Sequence, residues 1–566
     1  MSNMTRTFDL LESLSIRPKD AVVFSSICNG QWRDYTILEY KTYADACSFA
    51  LMGQGVRKGE AVISITHNRA EFNFVDMGIA QIGAVHVPVY PAIDVVKLES
   101  IIKETRARIA FISNRSVLRK IEQIKSCPLH KVISFDRTEG VVAFEDFIQS
   151  GKGSQKELQQ LKDAVKPTDP ASITYLSGSN TPLRGVVLSH QAHVFNMEGY
   201  CDSNHVAGCT QSISFLPLAH SFERTLNYSF QLLGIKINYC EGIASLGGVL
   251  KQKNPDVMMV VPLVLDRMIE IFRNEAIKMA GIKGWLAIQA LNLAANLKPN
   301  ESSYWFSFRR YFIRKSLSGF RNMFGGKMKV VLCGGAALRP AAINTLWAAG
   351  VNVFEGYGLT EAGPLVAYNI KDGSHKYDVG RPMQGVEVKI GDDGEVLVKS
   401  PGLMLGYLGY AEVPIDAEGW LHTGDIGQID KDGALKLTGI KKEIFKLSSG
   451  LYTDPRPIEA ALTVLDCIEN AWVYGHNRAY LVALISIRNV KTEQATEDPT
   501  DKIEEKIGQQ IAHYNASCPK YDQIIRYRIM NEKWTISNGL LTKNGDMDRQ
   551  VLLLKYAAII EELYSF

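Results

Sequence analysis

The sequence predicts an α/β fold. A large N-terminal domain, residues 1–441, is expected to consist of parallel-sheet βα subdomains plus a β-rich subdomain at 377–441, and a small α+β C-terminal domain follows at 442–566. Three observations carry this expectation. From about Phe24 to Cys333, helical spacing alternates with short strand-like runs, and parallel strands need such crossovers. Around Asp378 the texture changes to short β-prone runs punctuated by Gly and Asp. Beyond Lys441 a new mixture of helices and strands runs for about 125 residues, enough for a domain of its own.

In chain order, TYADACSFALMGQGV has apolar residues at helical spacing, AVISITHN reads as a strand, a second helix follows, and AVHVPVYP is the next strand. The runs Ile109–Ile112, Lys131–Ser134, Ile173–Leu176, Ser212–Leu216, Val257–Val261 and Lys329–Cys333 are short and bounded by turns, as buried strands are. VEVKIGDDGEVLVKS and GQIDKDGALKLTG carry Asp-Gly turns between β-prone arms, which read as hairpins. IEAALTVL is helical, and AWVYG and YLVALISI are strands of the last domain.

Composition excludes several classes. The 566 residues carry 63 basic and 60 acidic side chains, a net charge of +3 spread along the chain, so no basic face marks a nucleic-acid binder. The apolar run Val257–Leu265 falls far short of the ~20 residues that cross a bilayer, and the start MSNMTRTFDLL lacks the apolar core of a signal peptide. A soluble, cytoplasmic protein is expected. Nine scattered cysteines without a CxxC pair fit reduced thiols, and Cys201, His205 and Cys209 lack a fourth partner for a metal.

The segment LSGSNTPLRG, Leu176 to Gly185, sets hydroxyl, amide and turn-forming residues between two β-prone runs. It fails the P-loop pattern, because Leu183 stands where the second Gly would be and GVVLSH continues as strand rather than helix. Ser177, Gly178, Ser179, Asn180 and Thr181, with the cation of Arg184 just beyond, offer a row of donors that either nests phosphates or simply turns a corner.

Three further segments, EGYGLTEAGP at Glu355–Pro364, GWLHTGDIG at Gly419–Gly427 and FLPLAHSFER at Phe215–Arg224, decide the context. With LSGSNTPLRG they resemble the motifs of the adenylate-forming superfamily, and FLPLAHSFER with GLYTDPRPIEAAL is similar to its long-chain fatty acyl-CoA synthetase branch. The resemblance covers nearly the whole chain. It implies ATP-dependent activation of a fatty acid, or another hydrophobic carboxylic acid, through acyl-AMP, with Mg²⁺, followed by transfer to CoA or an acyl carrier. It also implies a mobile C-terminal domain, and a hydrophobic substrate implies peripheral membrane contact. By the same resemblance Ser177 to Thr181 and Arg184 face the phosphates, and the turn Gly334-Gly335-Ala336 approaches adenine, on which Tyr357 stacks beside Gly358. Thr360 meets the α-phosphate, Glu361 holds Mg²⁺, Asp425 accepts the ribose hydroxyls, His220 borders the acyl group and Lys442 is the hinge.

The departures all touch phosphate chemistry. Thr181 stands where the family has Gly, and Leu183-Arg184 where it has Pro-Lys. Ile440 occupies the position of an Arg directed at the nucleotide, removing a charge-assisted contact of about 1.5–3 kcal/mol. In GLLTKNGDMDR, Gly539 to Arg549, Asp546 takes the place of the adenylation Lys, with Lys543 three residues away. The alternative to an active ligase is therefore a catalytically impaired homologue that binds acyl chain or nucleotide.

Overall fold

The computed structural model describes the chain except residues 1–3, 29, 126, 177–182, 280, 298–310, 370–376, 442–444, 448–451, 466, 477, 489–498, 543–544 and 566. It divides into two compact units, Met1–Val388 with Val398–Leu421 and Lys431–Leu435, and Lys389–Leu397 with His422–Asp430 and Lys436–Phe566.

The first unit holds two large mixed sheets. One runs, in spatial order, Arg381–Pro382, Leu365–Tyr368, Asn352–Gly358, Val330–Cys333, Val257–Val260, Gln211–Ser214, Lys236–Tyr239, Val22–Cys28 and Gln31–Thr36. Its interior pairs are parallel and both edges are closed by antiparallel strands. In the other sheet Val85–Val89, Ala61–Ile65, Ile109–Ile112 and Lys131–Ser134 pair parallel, as their crossover helices require. Pro170–Leu176 extends this sheet parallel, then pairs antiparallel with Arg184–Ser189, which pairs antiparallel with Gly406–Tyr407. The α/β expectation holds, and most strands read from sequence appear within a residue or two; the strands at Pro170–Leu176 and Ile468–Tyr474 begin three residues earlier than read, and Ala61–Ile65 ends three residues sooner. What the local pattern concealed is this hairpin: LSGSNTPLRG connects two antiparallel neighbours, with Leu176 opposite Arg184.

Helix Ala70–Gln81 is buried at every residue, which only a helix covered on all sides can be. It therefore has to satisfy its polar side chains internally. Asp76 takes hydrogen bonds from Arg224 and from the Tyr228 hydroxyl, and its Oδ1 lies 2.6 Å from His86 Nδ1. Burial alone would raise the carboxyl pKa, but the Arg224 guanidinium and His86 hold it well below the usual carboxylate range. Asn73 and Asn227 bond each other and Tyr239 across the same layer. This polar core joins helix Ala70–Gln81 to helix Ser221–Leu233, the helix that follows His220.

In the second unit, strand Leu481–Ile487 lies between Ile468–Tyr474 and Ile524–Met530. Its alternation splits two cores. Leu481, Ala483 and Ile485 join Ile458, Leu462, Ile507 and Ile511 of two helices, whereas Val482 and Leu484 join Leu552, Tyr556 and Ile560 of helix Arg549–Tyr564. Most of a four-stranded sheet, in the order Glu387–Ile390, Glu395–Lys399, Leu421–Ile429 and Leu435–Ile440, also belongs to this unit. Among the described residues no helix is long and apolar enough to cross a membrane. His205 stacks on Phe354 at 4.2 Å while Cys201 faces the Ser229 carbonyl, so these two residues serve different neighbours.

Candidate active site

In the first unit the site is built where neighbouring parallel strands end together, the usual ligand edge of an α/β sheet. Cys333 lies opposite Glu355, so the turn Gly334-Gly335-Ala336 leaves one strand beside the Gly356-Tyr357-Gly358 end of the next. Gly335 has φ +84°, a conformation that a side chain would strain. The Glu355 carboxylate accepts the Leu338 N–H at 3.0 Å and so fixes the far side of this turn. Burial pushes the Glu355 pKa up to about 7, against that hydrogen bond. Tyr357 is buried, and at Gly358 a β-carbon would run into the Pro364 carbonyl oxygen. Gly358→Ala is expected to displace the segment that carries Thr360 and to weaken nucleotide binding at least about tenfold, read by fluorescent ATP titration.

A short 3₁₀ turn, Thr360–Ala362, presents the next two candidates. Thr360 Oγ1 lies 3.0 Å from Ser221 Oγ, and Phe222 packs against Gly334. His220, exposed, is the N-cap position of the same helix. The structure thus brings the segments around His220, Gly334 and Thr360 together.

Glu361 is held from a second direction. The Tyr407 hydroxyl donates to Glu361 Oε1 at 2.9 Å, and the Met404 N–H donates to the Glu361 carbonyl at 2.8 Å. Tyr407 pairs with Val186 in the strand that begins at Arg184, and the Arg184 guanidinium lies over the rings of Tyr407 and Tyr410 at 5.2 and 5.6 Å. Burial and the Glu361 charge push the Tyr407 pKa up to about 12, outweighing Arg184, so the phenol stays protonated and donates. Leu183 packs on the core of this sheet. Ser177, Gly178, Ser179, Asn180 and Thr181 lie outside the described residues. No cluster of three or more His, Cys, Asp or Glu able to hold a metal occurs among the described residues. A cation here would lean on the Glu361 carboxylate and on phosphate oxygens, the coordination that suits Mg²⁺.

In the second unit Asp425 sits in strand Leu421–Ile429, its N–H bonded to Thr423 Oγ1 at 3.1 Å. The preceding Gly424 N–H donates to Glu395. Lys441 pairs with Asp393 at 2.7 Å and Glu395 at 2.8 Å, and these carboxylates raise its pKa. Ile440 ends its strand; its side chain and the whole of Lys442 lie outside the described residues. Asp546 is exposed in a tight turn whose ends pair at Leu541 and Met547, with its carbonyl accepting the Thr542 N–H at 2.7 Å. Asp548 caps the last helix, and Arg549 makes a two-pronged bond to Glu459 at 2.8 and 2.7 Å. Lys543 lies outside the described residues.

The AMP-binding enzyme family model matches residues 12–408, and the AMP-binding enzyme C-terminal domain matches residues 442–566. The chain belongs to the AMP-binding enzyme family. Among curated AMP-binding relatives it is 27% identical over 573 residues to the long-chain-fatty-acid–CoA ligase FadD15 of Mycobacterium tuberculosis, covering 96% of this chain and 95% of that protein. It is also 27% identical to human long-chain-fatty-acid–CoA ligase 1, covering 94% and 83%. Among solved structures, an anthranilate CoA ligase, AuaEII, in complex with anthranoyl-AMP aligns with TM-score 0.72 at 20% identity, over 99% of this chain and 98% of that one. A Mycobacterium tuberculosis fatty acyl CoA synthetase aligns with TM-score 0.68 at 18% identity, over 99% and 100%. These likenesses show the AMP-binding fold.

Ser221, Tyr407 and Glu355 were not singled out from the sequence of this AMP-binding chain. Each reaches a predicted residue through tertiary pairing: Ser221 through Thr360, Tyr407 through Glu361, Glu355 through the turn after Gly334. Ser221 had a usable signal in its place beside His220, and Glu355 in opening the segment EGYGLTEAGP; Tyr407 had none.

Proposed function

We propose that this protein activates a long-chain fatty acid with ATP, forming acyl-AMP and pyrophosphate, and transfers the acyl group to CoA. The observation that carries the reading is Glu361, held by the Tyr407 hydroxyl beside Thr360 within the segment EGYGLTEAGP. End-to-end similarity to long-chain-fatty-acid–CoA ligases supports the substrate class. Thr360 donates to the α-phosphate, Tyr357 and the turn Gly334 to Ala336 receive adenine, and Asp425 accepts the ribose hydroxyls. Glu361 would hold Mg²⁺, which when bound would neutralise charge on the phosphates. Arg184, stacked on Tyr407 and Tyr410, keeps a cation at the end of the loop Ser177 to Thr181 for the departing pyrophosphate. Residues 1–441, with 377–441 as the β-rich part, and 442–566 act as domains hinged at Lys442, and the protein works in the cytoplasm.

A second reading, binding without efficient turnover, is favoured by Asp546. A carboxylate stands where the relatives' pattern has the Lys that bridges substrate carboxylate and α-phosphate, and Lys441 is engaged by Asp393 and Glu395 instead of replacing the charge missing at Ile440. Pyrophosphate release over a panel of medium and long fatty acids separates the two. Chain-length-dependent release in the presence of CoA is expected of the ligase, and ATP binding with no release from any acid would overturn it. Preformed acyl-AMP supplied with CoA tests the thioester step alone.

A further inference from the structure

In the sheet that contains Val85–Val89, Ala61–Ile65, Ile109–Ile112 and Lys131–Ser134, side by side in that spatial order, the chain order reverses between the second and third of these strands. Crossovers from such a pair leave toward opposite faces, which opens a crevice beyond the carboxyl ends of the strands. His67 and Arg69 follow the first strand of the pair, Ser113 follows the second, and Asp136 follows Lys131–Ser134. Glu241 arrives from the other large sheet, after Lys236–Tyr239. With Asn68 these residues line a cavity of about 30 Å³, room for about two water-sized groups. The turn at Gly334 follows Val330–Cys333, three strands from Lys236–Tyr239 and so about 14 Å away.

Part of the wall is already committed. The Arg69 guanidinium donates to both oxygens of Glu71 at 2.9 and 3.1 Å and to one oxygen of Asp136 at 2.9 Å. Asn68 donates to Ser214 Oγ at 2.9 Å and to the Leu216 carbonyl at 2.6 Å, and accepts the Leu218 N–H at 3.2 Å. One wall of the cavity therefore supports the segment that ends in His220. Ser113 is different. It is 2% exposed, yet its hydroxyl has no hydrogen-bond partner among the described residues. Folded proteins rarely leave a buried hydroxyl unpaired, because the group has given up its water and gained nothing.

Charge identifies the partner that suits it. Of the groups lining the cavity one cation, Arg69, faces two carboxylates, Asp136 and Glu241, and Arg69 is shared with Glu71 as well. Burial, helped by Arg69, lowers the His67 pKa against Glu241 and Asp136, so the ring is neutral at neutral pH and keeps one nitrogen as an acceptor. The surround is acceptor-rich and negative. An anion is repelled by it, and an apolar group satisfies none of its acceptors. A protonated primary amine brings one positive charge and three N–H donors on a head of about the size of a water.

We infer that the crevice between His67, Ser113 and Glu241 is a binding site for a small ligand bearing a primary ammonium group, whose N–H donors reach the Ser113 hydroxyl, the His67 ring and the carboxylates. The site goes beyond the ligase reading and holds whether or not the chain turns over fatty acids.

Methylammonium chloride is the probe. Its two heavy atoms limit its dissociation constant to about 6 mM or weaker. At about 100 mM it is expected to raise the melting temperature of the full chain by about 1–2 °C over tetramethylammonium chloride, which carries the charge without an N–H. Glu241→Gln and Ser113→Ala are each expected to weaken methylammonium at least about threefold when the shift is titrated. Glu241 is exposed and the Ser113 hydroxyl unpaired, so neither variant should lower the melting temperature without ligand, which checks folding. Equal shifts from the two salts would leave water as the occupant of the cavity and overturn the inference. So would variants that both keep the wild-type affinity, or potassium chloride matching methylammonium, which would make this a site for a bare cation.

Discussion

Asp546→Lys is expected to raise the rate of acyl-AMP formation by about 1000-fold or more, measured as pyrophosphate release at saturating ATP. On the proposed reading the change swaps a negative for a positive charge where two anions, the fatty carboxylate and the α-phosphate, have to meet, and a single cation on a transferring phosphoryl group contributes about 10³–10⁵ in rate. The turn is suited to the substitution. Thr542 N–H donates to the Asp546 carbonyl and Gly545 N–H to the Thr542 carbonyl at 2.9 Å, and residue 546 is exposed, so a longer side chain displaces nothing in the core. Adding Ile440→Arg is expected to raise the rate further. Wild-type turnover that Asp546→Lys leaves unchanged would sink the impaired reading. A variant that binds ATP and gains nothing with either substitution would show that residue 546 does not face the reacting groups.

Asp76→Ala should destabilise the N-terminal unit by about 3–5 kcal/mol, because it leaves the Arg224 guanidinium, 2% exposed, buried without its carboxylate. Urea unfolding followed by tryptophan fluorescence reads the loss. The pH dependence has a definite sign. The folded carboxyl pKa lies below its unfolded value, so the ion pair contributes fully above the unfolded value and is lost only as pH falls toward the folded one. Wild type and variant should therefore differ most at neutral pH and converge in strong acid. Asp76→Leu combined with Arg224→Met should recover much of the stability, since both charges then leave the core together. A loss below about 1 kcal/mol for Asp76→Ala would mean that solvent reaches Arg224. Helix Ser221–Leu233 carries both Arg224 and Ser221, so the destabilised variant should also show altered nucleotide affinity.

Short strands were legible because each is a brief run between turn residues, and Ile109–Ile112 and Lys131–Ser134 match their predicted limits residue for residue. Strand order was not, because it depends on pairings between residues far apart in the chain. Nothing local in LGYLGY announces that Tyr407 will lie beside Val186 and reach Glu361. The buried network around Asp76 was equally hidden. A helix reading AEFNFVDMGIAQ carries four polar residues in twelve, and its Asp finds partners only when His86 and Arg224 arrive from other elements. Thr360, Glu361 and Tyr357 were accessible because their spacing is compact and carried within one turn and one strand.

The two-residue strand Gly406–Tyr407 ties together parts of the site that chemistry would treat separately. It is held to Arg184–Ser189 by the Leu405 and Leu408 N–H groups, and it supplies the hydroxyl that aims the Glu361 carboxylate. A change that shifts the arm leaving the loop at Leu183 or Arg184 is therefore expected to re-aim the Glu361 carboxylate as well. In evolutionary terms the expectation is that Arg184 and Glu361 change together, because Tyr407 touches both.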